Sequence, residues 1–446
     1  VYSSGVEKSV DAPEHGNRAA AEGRLMLKVL WFTNVVLPEA AKAIGLPVFL
    51  KAGWLEGYLA ALRRTGDVRV TAVTHSGSVN RTTEIEVEDV HHIILPAAAM
   101  DVTAPPTDSA VKEYRELVHS LSPDIVHYHG SECHYGLLTA RGHITAPSVL
   151  SIQGLLTECA EVYHGGLSVH ELVRAHTLRE IYHRGGILGG RRQFARRALV
   201  EREILRGMEH VIGRTLWDRA HVREINPAAQ YHHCDELLRP AFYSTIRTPG
   251  LFRRFSIYAS SASYPLKGFH FLLKAVALLK KDFPEITVRI PDNQPNRSAA
   301  TSGYCRLIHS MIRELDLSGR IEWLGPLDAA GVSGVLSQSH VFVASSLVEN
   351  LCNALAEAML VGVPSIASYA GGMATTLRDR ETGLFFPVGD HALLAESIRL
   401  LFTDDDLAGR LALNARAVAV ERHDYAAVGA NLVAIYQSIV RGSQPA

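Results

Sequence analysis

Short apolar, β-branched runs alternate with helix-length amphipathic segments along almost the whole chain. In the first half, the runs at 25–33, 68–74, 90–95, 124–129, 148–153 and 210–214 read as strands, with helical periodicity at 50–64 and 109–121. The second half repeats the rhythm more cleanly. Strand patterns at 255–260, 286–290, 320–324, 340–344, 364–368 and 383–387 are separated by helical ones at 269–283, 304–315, 351–361 and 392–402. Continuous apolar strands flanked by helices imply parallel strands covered on both faces. Two such arrays in tandem imply an α/β protein of two Rossmann-like, doubly wound domains. The periodicity lapses at 240–250, where Pro, Thr and Gly cluster, and the join is placed there. The expected units are 25–245, 246–424 and a terminal helical stretch, 425–446, which caps either domain and is expected to pack back on the first. Ligands of such folds lie in the crevice at the carboxyl ends of the strands.

Length supports two cores, because 446 residues exceed what one core usually organises. A net charge of −1 gives no overall basic field, so a nucleic-acid partner is not expected. The five cysteines are scattered and form no CxxC pair, which reads as neutral thiols in a reducing compartment rather than a disulfide framework. Residues 1–24 are polar, carry no apolar signal region and read as a disordered tail. No run reaches the roughly 18 apolar residues of a membrane span, so the chain is expected to be cytoplasmic.

Candidate chemistry concentrates in Ser345-Ser346-Leu347-Val348-Glu349-Asn350-Leu351-Cys352-Asn353-Ala354-Leu355-Ala356-Glu357-Ala358-Met359. Glu349 is expected at a strand-to-helix turn and Glu357 two turns into the helix. On one continuous helix an eight-residue offset overshoots two turns by about 80°. The two carboxylates therefore share a pocket only if Glu349 stands outside the helix. The helix N-terminus then faces the same pocket and favours an anion. The plainer reading is a helix-entry acid and a solvated face residue. Glu357 argues against it, because its neighbours are nearly all apolar and a carboxylate there is costly without a partner. In Tyr264-Pro265-Leu266-Lys267-Gly268-Phe269, a lysine at a strand–helix junction can set a point charge on a diphosphate, or be a solvated lysine in a turn.

Together with Gly362-Val363-Pro364, Gly371-Gly372 and Thr382-Gly383-Leu384-Phe385-Phe386, these segments resemble retaining glycosyltransferases of the GT-B fold, family 4 (glycosyl transferases group 1). The resemblance implies two Rossmann-like domains facing a deep cleft, the first binding an acceptor and the second a nucleotide-sugar. It implies metal-independent transfer of a sugar from a nucleoside diphosphate donor, UDP-sugar favoured, to a hydroxyl acceptor, with no cofactor. Glu349 would contact sugar hydroxyls and Glu357 the ribose. Lys267 would meet the diphosphate, and the backbone N–H groups of Asn350 and Leu351 the sugar or phosphate. Glu349 and Lys267 are the catalytic candidates. The second half departs from the family in three places: Ala262 stands where an arginine is usual, Thr375 where an acid often follows the glycine pair, and Ile290-Pro291-Asp292-Asn293 lacks the usual glycines.

In the first half, Ala52-Gly53-Trp54 resembles the family's small-residue cleft loop, with simple helix initiation as the alternative. His129 ends a strand similar to the family's His-Gly strand, and His127 shares its face. Gln153 stands where relatives carry histidine and is assigned positioning only. Arg214 is a second candidate for the diphosphate, replacing the arginine missing at 262, with a structural ion pair as the other reading. Between 174 and 206 lie nine arginines against three glutamates. This is either a solvated helical face or a patch that meets an anionic acceptor or a membrane surface. The His/Cys clusters at 127–134 and 232–235 lack metal-ligand spacing. Rival readings are a GT-B epimerase or phosphorylase, or a non-catalytic sugar-nucleotide-binding protein.

Overall fold

Two sheets organise the computed structural model, which describes residues 26–48, 53–96, 104–183, 185–292 and 302–443. The first contains β1 (Leu27–Phe32), β2 (Val68–Ser76), β3 (Thr83–Val87), β4 (Val90–Pro96), β5 (Ile125–His129), β6 (Ser148–Ser151), β7 (His210–Gly213) and β8 (Gln230–His233). Its order is β3-β4-β2-β1-β5-β6-β7-β8, parallel except where β3 turns back against β4. The second contains β9 (Arg253–Ala259), β10 (Thr287–Ile290), β11 (Ile321–Trp323), β12 (Ser339–Ala344), β13 (Ser365–Ser368) and β14 (Leu384–Phe386). Its order, β11-β10-β9-β12-β13-β14, is the doubly wound order. The sequence pattern missed β3 and β8. Both carry polar or exposed positions, Thr83-Glu84-Ile85-Glu86-Val87 and Gln230-Tyr231-His232-His233, and both lie at a sheet edge.

Helix starts are set by side-chain caps. Thr107, Ser302, Asp328, Asp390, Asp404 and Asp424 each accept the backbone N–H three residues on, worth about 1 kcal/mol apiece. The helix Asn353–Val361 has no such side-chain cap; Leu355 N donates instead to Cys352 O at 2.9 Å.

The chain crosses between the two sheets more than once. Leu238 and Phe242 already lie in the core around the second sheet. The terminal helix Tyr425–Gly442 returns to the first, where Val428, Leu432, Ile435 and Ile439 pack with Val29, Leu55 and Leu59. Each such side chain, fully buried, contributes about 1.5–3 kcal/mol. The Tyr436 hydroxyl accepts from Trp31 Nε1 at 3.2 Å and pairs with His127 Nδ1 at 2.7 Å. A third crossing comes from the segment between β6 and β7, whose Leu167, Ala175 and Ile187 are buried in the core of the second sheet. This strap is tied there by His270 Nε2 to Gly165 O (2.7 Å) and by the ion pair Lys274–Glu171 (2.9 Å). No helix of the described residues is long and apolar enough to cross a membrane, and the segment 1–24 lies outside them.

Candidate functional site

In the second sheet the strand order reverses between β9 and β12, and the loops leaving their carboxyl ends face each other. The first loop carries Lys267 and the second Glu349. Lys267 Nζ lies 2.5 Å from Glu349 Oε1, which also accepts from Ser346 Oγ at 2.8 Å. The loops are stitched by Leu347 N to Leu266 O (2.8 Å) and by Ser345 Oγ to Lys267 O (3.0 Å). This approach requires Gly268: its φ is +64°, and a Cβ would stand 1.9 Å from Ser345 O. The glycine pair at 371–372 has a similar cause, because Cβ atoms there would meet the carbonyl oxygens of Glu349 and Asn350 at 2.1 and 2.2 Å. Burial works against the charge on Lys267, but the Glu349 carboxylate, Tyr264 and Cys352 together hold it above the usual lysine range.

Glu357 is buried and partnered. Arg239 donates Nη2 and Nε to its Oε1 at 2.7 and 3.1 Å. Both bonds fall on one oxygen, leaving Oε2 for a further donor. Burial pushes the Glu357 carboxyl above its ordinary range, with Arg239 opposing. Glu349 stands outside the helix as the shared-pocket reading requires. The helix itself begins only at Asn353, so Asn350 and Leu351 belong to the loop before it. Asn350 Oδ1 accepts from Thr215 Oγ1 at 2.8 Å across the cleft, while its buried Nδ2 has no partner.

The first-half candidates gather at the carboxyl ends of β5, β6 and β7. Arg214 is not the free diphosphate cation that one reading expected. Its guanidinium is fully buried, 2.9 Å from Glu236 Oε1, and bonded to Ile152 O. The structural ion pair is the arrangement seen, because a buried guanidinium needs its charge and donors satisfied in place. The Gln153 amide fits beside the pair, its nitrogen 3.2 Å from Glu236 Oε1 and its oxygen 3.0 Å from Arg214 Nη2. The Trp54 ring lies 5.9 Å from the Arg214 guanidinium and 5.5 Å from the His129 ring. His129 is buried with both ring nitrogens unpartnered. Burial, the adjacent His127 and Arg214 hold it neutral, well below the usual histidine range. Gly53 approaches Arg239 so closely that a Cβ would meet Cγ at 2.3 Å, which ties this loop to Glu357; Ala52 lies outside the described residues. Sequence reasoning missed Arg239 and Glu236. The signal was Asp235-Glu236-Leu237-Leu238-Arg239-Pro240, charges set among apolar residues immediately before the inferred join.

The departures have local explanations. Ala262 is a buried core position whose N–H donates to Asp292 Oδ2 at 2.6 Å, a carboxylate that also accepts from Ser261 Oγ. An arginine there would have to enter the core. Thr375 Oγ1 accepts from Leu216 N at 3.3 Å, a contact to the first half of the chain. Cys133, Cys234 and Cys352 are buried, and burial pushes each thiol up to about 12, which makes them inert packing groups. Among the described residues no three His, Cys, Asp or Glu side chains are grouped to hold a metal ion. In the basic run, Arg174 pairs with Glu314 and Arg197 donates to Glu132 O, while the run's Glu203 is bound by Arg141 from outside it.

Residues 253–418 match the family described as glycosyl transferases group 1. Over 179 residues the chain is 30% identical to phosphatidyl-myo-inositol mannosyltransferase of Mycobacterium leprae, covering 39% of this chain and 44% of that one. Over 175 residues it is 26% identical to D-inositol 3-phosphate glycosyltransferase of Corynebacterium urealyticum, covering 39% and 41%. The chain thus spans less than half the length of these curated relatives. Among solved structures, sucrose-phosphate synthase from Thermosynechococcus elongatus superimposes with a TM-score of 0.71 at 18% identity, over 94% of this chain and 100% of that one. HepE of Anabaena, solved with UDP-glucose, gives 0.62 at 16% identity, over 92% and 100%. At such identities the likeness establishes the fold, which is GT-B.

Proposed function

We propose that this chain, whose residues 253–418 match the family described as glycosyl transferases group 1, is a retaining glycosyltransferase that moves a sugar from a UDP-sugar to a hydroxyl acceptor. The observation that carries the reading is the Lys267–Glu349 pair at the point where the strand order reverses. A cation and a carboxylate in contact there can part to receive opposite ends of one ligand, the diphosphate on Lys267 and sugar hydroxyls on Glu349. The uncapped helix at Asn353 adds backbone donors on the phosphate side. Glu357 Oε2 remains for the ribose. The chemical demand is to stabilise charge building on the departing diphosphate, and Lys267 meets it as a point charge. UDP is favoured because the neighbour HepE was solved with UDP-glucose.

Trp54, Gln153 and Gly53 line the acceptor side, with the neutral His129 ring buried behind Trp54. Arg214 acts through the scaffold, fixing Gln153 and Trp54, rather than on phosphate. The protein is read as cytoplasmic, with the outward face of the 174–206 region in peripheral contact with the inner face of a membrane. The test is a donor and acceptor panel with Lys267→Ala and Glu349→Ala. Each is expected to lose roughly 10²–10³ in kcat while remaining folded at the assay temperature, with a lowered melting point from the broken pair; undiminished turnover by either variant removes the assignment.

A further inference from the structure

A cavity of about 1350 Å³ lies between the strap and the loop that carries Lys267. Its far wall is Arg192 and Arg196, one helical turn apart on the helix Gly186–Gly207, together with the glycines of 185–190. Its near wall is Ser263, Tyr264 and Pro265. Arg174 of the run pairs with Glu314 and Arg197 donates to a carbonyl; among the described residues no ion pair holds Arg192 or Arg196, and these two line the cavity. The one carboxylate in the wall, Glu180, is already engaged by Thr177 N and Gly303 N, both at 2.9 Å. Two arginines against this one carboxylate leave the cavity a net positive charge.

Its rim is apolar and exposed. Ile181 and Leu188 line the opening, and beside them Leu178 is 87% and Tyr182 84% exposed. Val169 and Val173, at 79% and 71%, extend the same surface along the strap. Exposed apolar side chains grouped in this way, unlike singly scattered ones, mark a contact surface. They are not slack, because the strap is anchored in the second core by Leu167, Ala175 and Ile187.

We propose that this cavity is the acceptor's anionic subsite and that the acceptor is an amphiphile. Its phosphate would sit between Arg192 and Arg196, and its hydrocarbon part would run over Leu178, Ile181, Tyr182 and Leu188 into an anionic membrane surface. The inference rests on the transferase reading and names the acceptor class for the same cleft. Charge complementarity favours a phosphate-bearing lipid, and the apolar rim distinguishes it from a free phosphorylated sugar, which has no use for exposed leucine.

The experiment is flotation of the full chain with phosphatidylcholine vesicles, with and without phosphatidylglycerol. Two variants accompany it, Arg192→Ala with Arg196→Ala, and Leu178→Ser with Tyr182→Ser. UDP binding by calorimetry is measured on every sample. Wild type is expected to float only with the anionic vesicles, and the arginine pair to weaken partitioning roughly 30-fold. The serine pair should weaken it as well, with UDP affinity unchanged throughout. Failure of the wild type to float while UDP binds overturns the amphiphile and leaves the donor reading intact. Competition by soluble glycerol 1-phosphate as effective as that of vesicles also overturns it, as does a dimer that the serine pair converts to monomer. Loss of UDP binding in the wild type counts against the transferase reading instead.

Discussion

Replacing Arg239 by alanine isolates the pair on which the ribose end of the site depends. The substitution leaves Glu357 buried, its side chain 10% exposed, without the guanidinium that now stands 2.7 Å away. Breaking a buried pair from one side costs about 3–5 kcal/mol. The lower end applies here, because the Arg239 side chain is itself 20% exposed. The carboxyl can escape by taking a proton, and that sets a ceiling that moves with pH. The ordinary value is 4.5, and at about 1.4 kcal/mol per pH unit above it the ceiling is roughly 5 kcal/mol at pH 8 and under 1 at pH 5. An acid whose folded pKa is raised stabilises the fold at low pH and loses that contribution as pH climbs through the folded value. Urea unfolding followed by tryptophan fluorescence should therefore show Arg239→Ala down by about 3 kcal/mol at pH 8 and by about 1 at pH 5. The residual loss comes from packing over Phe242 and Gly53. Adding Glu357→Gln should recover most of the pH 8 loss. Equal losses at the two pH values, or a loss below about 1 kcal/mol at pH 8, would refute the view that Arg239 neutralises a buried carboxylate.

Gly268→Ala forces a Cβ to within 1.9 Å of Ser345 O at a φ of +64°. It should cost about 2 kcal/mol and weaken UDP binding more than roughly tenfold by parting the Lys267 and Glu349 loops. Gly319→Ala, with nothing within 4 Å of its Cβ position, is the control and should change neither calorimetric affinity nor stability. Glu201 is fully buried, accepts from Ser131 Oγ at 2.7 Å and Leu156 N at 2.8 Å, and is raised by burial to about 7. Its stabilising contribution is complete below pH 4.5 and lost as pH rises through 7. Glu201→Gln should therefore gain about 3 kcal/mol relative to wild type between pH 4.5 and pH 8; a pH-independent difference would exclude the titration.

Local pattern alone determined the tandem sheets, because the alternation of apolar strand and amphipathic helix is written within each ten to twenty residues. It also placed Glu349 at a turn and made Glu357 costly without a partner, since an acid among Ala354, Leu355, Ala358 and Met359 is anomalous wherever the chain folds. The identity of that partner was a tertiary matter. Arg239 lies 118 residues from Glu357 in sequence, and no periodicity links them. The same holds for Arg214, whose reading stayed divided until Glu236 was seen beside it at the end of the first domain's strands. Edge strands β3 and β8 escaped because half-solvated strands lose the apolar signal that central ones carry. The basic run showed only as charge. Packing across the cleft decided that Arg174 meets Glu314 and that Arg192 and Arg196 face an open cavity. Sequence fixes what each segment must bury; which distant charge satisfies it depends on the approach of loops that only the folded chain brings together.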